Sequence, residues 1–193
     1  MKKKLVFATG NRHKVAEVRE IVGDRYEILS LADIGCTEEI PETAPDLEGN
    51  ALLKARFVLE HFGLDCFAED TGLEVAALQG APGVFSARYA GPGKSARENT
   101  ALLLRNLEGS PVREAQFRTV VALLLKGETR LFEGVVKGEI AQSPSGEGGF
   151  GYDPVFIPSG FPCTFAEMSP ETKNAISHRG KAVSQLLKYL EDT

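Results

Sequence analysis

The chain has 193 residues, 42% hydrophobic and 25% charged, with 22 Lys+Arg against 27 Asp+Glu for a net charge of -5. This is the composition of a globular protein large enough to bury a core without disulfides or structural metal. The acidic balance disfavours general nucleic-acid binding or attachment to an anionic membrane, both of which need a cationic surface.

Taken in chain order, the N-terminus Met1-Lys2-Lys3-Lys4 precedes Leu5-Val6-Phe7-Ala8. This apolar run stops at Thr9-Gly10, too short for the core of a signal peptide, and reads as a buried strand. Asn11 to Val22 reads as a helix with Val15, Val18 and Val22 on one face, closed by Gly23. Tyr26–Leu29 fits a second strand, and Thr37 to Gly49, with two prolines and many acids, a loop. A helix follows from about Glu48 to His61, with Ala51, Ala55, Val58 and Phe62 as its stripe. Cys66-Phe67-Ala68 forms a short strand that ends in Glu69-Asp70-Thr71-Gly72. Gly80 to Gly93 is loop, and Ala96 to Leu107 is helical. Phe117–Leu125 and the more loosely alternating Leu131–Ile140 flank Lys126-Gly127-Glu128 as a hairpin. Ser143 to Pro162 is too rich in Gly and Pro for a long helix, and Ser177 to Glu191 is a helix with Val183, Leu186, Leu187 and Leu190 inward. Strand–helix units together with a hairpin imply an α/β fold with a mixed central sheet flanked by helices.

Three familiar signatures fail on their context. Gly93-Lys94-Ser95 lacks the earlier glycine of a phosphate loop, because Arg88 stands there. Gly146-x-Gly148-x-x-Gly151 cannot open the helix that a dinucleotide site needs, since Pro154, Pro158 and Pro162 follow. Asp70-Thr71-Gly72 is one aspartic-protease triplet where two must face each other. Cys36, Cys66 and Cys163 form no C-x-x-C pair and read as reduced thiols of a cytoplasmic protein.

Four constellations carry chemistry. Thr9, Gly10, Asn11, Arg12, His13 and Lys14 lie at a strand-to-helix turn, where unpaired amides and a lysine suit a phosphate, or where Asn11 is an ordinary cap. Glu42, Glu69 and Asp70 offer carboxylates to a hard cation such as Mg²⁺, which takes one or two of them plus phosphate oxygens; a solvated turn is the plain alternative. Phe150, Gly151, Tyr152 and Asp153, in a glycine-rich stretch, suit stacking on a flat base or a tight turn. Lys173 with Ser177, His178 and Arg179 supplies donors at a helix start, for a phosphate or a purine carbonyl.

The segments ATGNRHK, GNALLKAR, AEDTGLEV, GAPGVFSARYAG, GGFGYDPVF and FAEMSPETKNAISHRGKA occur in this order from end to end. In that set the sequence resembles the inosine triphosphatase / XTP-dITP diphosphatase family. The resemblance implies a single two-lobed domain over residues 1–193 with a substrate cleft between the lobes, and a homodimer. It also implies Mg²⁺-dependent hydrolysis of ITP, dITP and XTP between the α- and β-phosphates, giving a monophosphate and pyrophosphate. Residue by residue, Thr9 to Lys14 would cradle phosphates, and Asp70 would be general base and metal carboxylate, with Thr71 touching substrate. Phe150, Gly151, Tyr152 and Asp153 would hold the base, and Lys173, His178 and Arg179 would complete the site. The loop Glu42-Thr43-Ala44-Pro45-Asp46-Leu47-Glu48-Gly49 departs from the family's usual ETG-x-TF-x-E, which leaves the second metal carboxylate among Glu42, Glu38 and Glu39, with Glu42 preferred for its Pro-Glu context. A catalytically silent nucleotide sensor and a pyrophosphatase for modified pyrimidine nucleotides are the rival readings; Asp70 and Glu42 favour an enzyme.

Overall fold

The computed structural model describes residues 3–93 and 95–192; Met1, Lys2 and Lys94, which figured in the leader and phosphate-loop readings, lie outside them. The chain divides into two compact units. The first comprises Met1–Asp70, Thr119–Gly134 and His178–Thr193, and the second Thr71–Arg118 and Val135–Ser177. Seven strands occur among the described residues: β1 (Lys3–Phe7), β2 (Tyr26–Leu29), β3 (Cys66–Val75), β4 (Pro82–Gly83), β5 (Glu114–Leu125), β6 (Glu128–Ile140) and β7 (Phe156–Pro158). Their order is β2-β1-β3-β5-β6-β7, with β4 on β3. β1 pairs in parallel with β2 and β3, whereas β4 and β7 pair antiparallel with β3 and β6, so the sheet is mixed as expected. Five α-helices accompany it: α1 (Arg12–Val22), α2 (Leu47–Phe62), α3 (Ala96–Asn106), α4 (Pro170–Ile176) and α5 (His178–Glu191).

In the first unit the two-residue period of the strands sorts side chains to opposite faces. Leu5, Phe7, Phe67, Val121 and Leu123 pack with Val15, Val18 and Val22 of α1 and Val183, Leu186, Leu187 and Leu190 of α5. Val6, Ala8, Cys66, Ala68, Ala122 and Leu124 pack instead with Ala51, Ala55 and Val58 of α2. The helix stripes predicted from spacing are therefore the buried ones, except that Phe62 at the end of α2 is only half-buried. Gly23 ends α1 at φ 59° and donates to the Arg19 carbonyl, a conformation open to glycine without strain. Gly134 of β6 has a different task. A Cβ there would stand 1.9 Å from the His178 carbonyl oxygen and 2.7 Å from the Ala182 nitrogen, so the bare glycine lets the first turn of α5 lie against the strand.

In the second unit Leu73, Val75, Leu103, Leu107, Phe117, Val136, Ile140, Tyr152, Phe156 and Phe165 form one core. The α3 helix is capped by Ser95, whose side chain accepts from Glu98 N. The hairpin turn, which belongs to the first unit, places Lys126 at φ 50° and Gly127 at φ 81°, two successive left-handed residues whose twist matches that of the flanking strands.

Two expectations are corrected. β3 does not stop at Glu69-Asp70 but continues to Val75, because both acids are neutralised by buried cations and need no water. The short α4 was not anticipated; it starts at Pro170 behind a Ser169 cap whose side chain accepts from Thr172 N. No helix among the described residues is long and apolar enough to cross a membrane. The three cysteines are free thiols; Cys66 donates to the Ala55 carbonyl at 3.1 Å, and burial pushes its thiol up to about 12, which makes it a poor nucleophile.

Candidate active site

Residues 69 and 70 of β3 follow the same alternation as the core and point to different neighbours in the first unit. Glu69, on the face of Phe67, is fully buried and meets α1 and α5. The Arg179 guanidinium donates to it from Nε at 2.8 and 3.1 Å and from Nη2 at 2.6 Å, and its Nη1 donates to Glu17 of α1. Lys14 Nζ stands 3.2 Å from Glu69. Burial opposes the Glu69 charge, but the Arg179 and Lys14 cations outweigh it and hold the carboxyl well below its ordinary range. Burial likewise disfavours the Arg179 charge, and the Glu69 and Glu17 carboxylates reverse that effect, so the guanidinium holds its proton more firmly than usual.

Asp70, on the face of Ala68, meets α2 instead. Asn50 Nδ2 donates to its Oδ2 at 3.1 Å, and Lys54 Nζ donates to its Oδ1 at 3.3 Å. The same ammonium donates to Glu42 Oε1 at 2.5 Å, so Glu42 is the loop acid that joins this group. Asn50 Oδ1 accepts from Ala44 N at 2.9 Å and thereby ties the Glu42 loop to α2. Burial is the main effect on Asp70 and raises its carboxyl above the usual aspartate value, with Glu42 adding to the rise and Lys54 and Lys14 opposing it. A carboxyl tuned upward by burial beside charged partners is a functional-site signature.

The turn before α1 has the expected form. Asn11 Oδ1 accepts from His13 N at 3.0 Å and Lys14 N at 3.2 Å, and Thr9 Oγ1 accepts from Asn11 N at 3.2 Å. Asn11 is thus a true cap and already occupies two of the amides that a phosphate would use. Gly10, Asn11, Arg12 and His13 are exposed, and nothing lies within 4 Å of where a Gly10 Cβ would stand, which leaves that side open for approach. His178 is buried at the start of α5.

The remaining predicted residues form a separate group within the second unit. Asp153 is buried; its Oδ2 accepts from Phe150 N at 2.8 Å and from Lys173 Nζ at 2.6 Å. Lys173 Nζ also sits 5.0 Å from the centre of the half-buried Phe150 ring, a cation–π distance. Gly149, at φ 68°, is obligatory, since a Cβ would fall 2.1 Å from Asp153 Oδ2. Tyr152 is turned inward, donating to the Ser86 carbonyl at 2.8 Å, and burial raises its phenol. Thr71, the half-buried residue after Asp70 in β3, begins this unit.

Sequence reasoning missed Asn50, Lys54 and Glu17. The signal for the first two was present: Leu47, Asn50, Ala51, Lys54, Ala55 and Val58 share the buried face of α2. Two polar residues inside an apolar stripe must have partners. Among the described residues no set of three or more His, Cys, Asp or Glu side chains could enclose a metal ion. A cation here would rely on two carboxylates and on the substrate.

The model of the Ham1 family matches residues 5–189. The chain belongs to the Ham1 family. Among curated relatives, the dITP/XTP pyrophosphatase of Flavobacterium johnsoniae is 54% identical over 98% of this chain and 99% of its own length. The dITP/XTP pyrophosphatase of Porphyromonas gingivalis is 56% identical, with 97% of each chain covered. A Ham1 protein from Coxiella burnetii superposes with a TM-score of 0.90 at 38% identity, covering 99% of this chain and 100% of the other. The Mycobacterium abscessus structure, described as a nucleoside-triphosphatase / dITP/XTP pyrophosphatase, gives a TM-score of 0.76 at 46% identity, covering 95% and 98%. The mixed α/β fold is thus that of the Ham1 structures.

Proposed function

We propose that this Ham1 protein hydrolyses the α–β phosphoanhydride of non-standard purine nucleoside triphosphates (ITP, dITP and XTP), releasing the monophosphate and pyrophosphate and so cleansing the nucleotide pool. The observation that carries the proposal is Asp70, a buried carboxylate held by Asn50 and Lys54 next to a second acid, Glu42. Burial raises its carboxyl above the ordinary aspartate value, which makes it a better proton acceptor than an exposed aspartate. In this reading Asp70 accepts a proton from water as that water attacks the α-phosphorus and the bond to the bridging oxygen breaks. Lys14 contributes positive charge toward the phosphates, together with the turn formed by Thr9, Gly10, Asn11, Arg12 and His13. Arg179 acts by holding Glu69, and so Lys14, in place.

The donor set fits Mg²⁺. The Lys54 ammonium lies against both Glu42 and Asp70, which supports the reading that the two carboxylates face one cation position. When bound, the ion would neutralise the triphosphate and the departing pyrophosphate. The purine is assigned to Phe150, Gly151, Tyr152 and Asp153 with Lys173: Phe150 as a stacking face, Lys173 as a cation bound to Asp153 and able to donate to a 6-carbonyl. Thr71 and His178 complete the substrate contacts. A donor set reads the carbonyl of hypoxanthine or xanthine and rejects the amino group of adenine.

The family match spans both units in one block, which supports a single functional domain over residues 1–193. We further propose that the protein acts as a homodimer in the cytoplasm; sedimentation would test the dimer. The test of the activity is product analysis on ITP, dITP, XTP, GTP, ATP and modified pyrimidine triphosphates. Pyrophosphate release from the first three with Mg²⁺, and none with EDTA, is the expected result. Orthophosphate release, or equal kcat/KM for ATP and ITP, overturns it.

A further inference from the structure

Lys54 occupies the carboxylate oxygens that the proposed metal site requires. Its Nζ donates to Glu42 Oε1 at 2.5 Å and to Asp70 Oδ1 at 3.3 Å, and its side chain is only 8% exposed. A dication on those two oxygens would stand next to the ammonium, and the two positive charges repel at such range. Asp70 and the loop that carries Glu42 have a second partner besides Lys54. Asn50 holds Asp70 through Oδ2 and holds the Glu42 loop through Ala44 N, so one amide side chain anchors Asp70 and the backbone near Glu42 from a different direction. Asn50 and Lys54 lie one turn apart on α2, and the lysine reaches the pair on a flexible four-carbon stem. One partner of the acids is therefore fixed and the other is able to leave.

We propose that Lys54 is an exchangeable counter-cation. It neutralises Glu42 and Asp70 in the free protein, yields those oxygens when a divalent cation binds, and turns its charge to the incoming triphosphate. Two consequences follow by linkage. The free protein binds divalent cations weakly, because the ion must displace an internal one. Metal and triphosphate bind with positive cooperativity, because the displaced ammonium gains its new partner only from the substrate.

This inference rests on the reading of Glu42 and Asp70 as metal carboxylates, and the experiment separates the two. Binding of Mn²⁺ is followed by electron paramagnetic resonance on the full chain, with and without the non-hydrolysable α,β-methylene analogue of ITP. Lys54→Met is expected to bind Mn²⁺ at least tenfold more tightly than wild type without nucleotide, and to lose most of the gain that the analogue confers. Lys54→Arg keeps the charge and is expected to stay near wild-type affinity. Equal or weaker Mn²⁺ binding by Lys54→Met, while Asp70→Asn abolishes binding, overturns the exchange and leaves the metal reading standing. Mn²⁺ binding that survives both Asp70→Asn and Glu42→Gln, or that is absent from wild type and Lys54→Met alike, overturns both. Should Lys54→Met be too unstable to titrate at ordinary temperature, the rise of its melting temperature with Mn²⁺ gives the same comparison. A larger rise than in wild type supports the exchange, and an equal or smaller one refutes it.

Discussion

Replacing Arg179 by Met removes a guanidinium that is almost wholly buried and makes three hydrogen bonds to Glu69 and one to Glu17. Glu69 would remain fully buried with Lys14 as its cation, 3.2 Å away. Removing one partner of a buried ion pair costs about 3–5 kcal/mol, mostly the desolvation of the charge left behind. For a domain of this length that corresponds to a fall in melting temperature of roughly 6–20 °C. The pH dependence distinguishes this cause from simple loss of packing. In wild type Glu69 is depressed, so its contribution is complete above the unfolded glutamate value of about 4.3 and is lost only as pH falls through the lower folded value. In Arg179→Met, burial acts with less opposition and raises Glu69, so protonation relieves the variant as pH falls. Urea unfolding followed by circular dichroism at pH 7.5 and 5.5 should therefore show a gap to wild type that narrows on acidification. Adding Glu69→Met should recover stability, since an apolar pair of similar volume replaces a buried ionic one at little cost. A loss below about 1 kcal/mol, a gap that does not change with pH, or a double variant no better than Arg179→Met would refute the account.

Asp70→Asn should lower turnover by about 10²–10⁴, the usual worth of a positioned proton acceptor, with the circular dichroism spectrum unchanged; near-wild-type turnover would remove Asp70 from the mechanism. The acid limb of the kcat/KM profile should lie above the ordinary aspartate value of about 3.9, because burial raises Asp70, and Glu42→Gln should move it down by removing a like charge. A limb displaced upward in that variant contradicts the assignment. Gly149→Ala forces a Cβ into Asp153 Oδ2 at a left-handed backbone position, a strain of roughly 1–3 kcal/mol. Its expected outcome is a raised KM for ITP that exceeds any fall in kcat, checked by steady-state kinetics.

Much of the fold was legible because periodicity and burial agree. The valines of α1, the leucines of α5 and the Lys126-Gly127 turn each state one local preference that the packing then honours. The continuation of β3 was not legible, because Glu69-Asp70-Thr71-Gly72 has the composition of a turn, and only partners far along the chain, Arg179 and Lys54, make the acids compatible with a buried strand. Helix α4 was missed for a related reason: seven residues beginning at Pro170 carry no apolar stripe long enough to register. At the candidate site, Asp70 and Asp153 could be chosen by residue type. That Asn11 is spent on capping, and that the Arg179 guanidinium faces two carboxylates, depends on side-chain direction, which spacing alone does not encode.

Gly134 sets a limit on how this protein can be stabilised. By local preference a strand interior favours Val or Ile, and a search for better strand formers would nominate this glycine first. The backbone of α5 rests on the missing side chain, so any such gain would lift the helix turn that carries Arg179 and open the Glu69 clamp. The position trades local strand strength for a distant geometric requirement. Engineering for heat resistance should therefore leave Gly134 untouched and work on exposed positions such as Leu131, three residues earlier on the same strand.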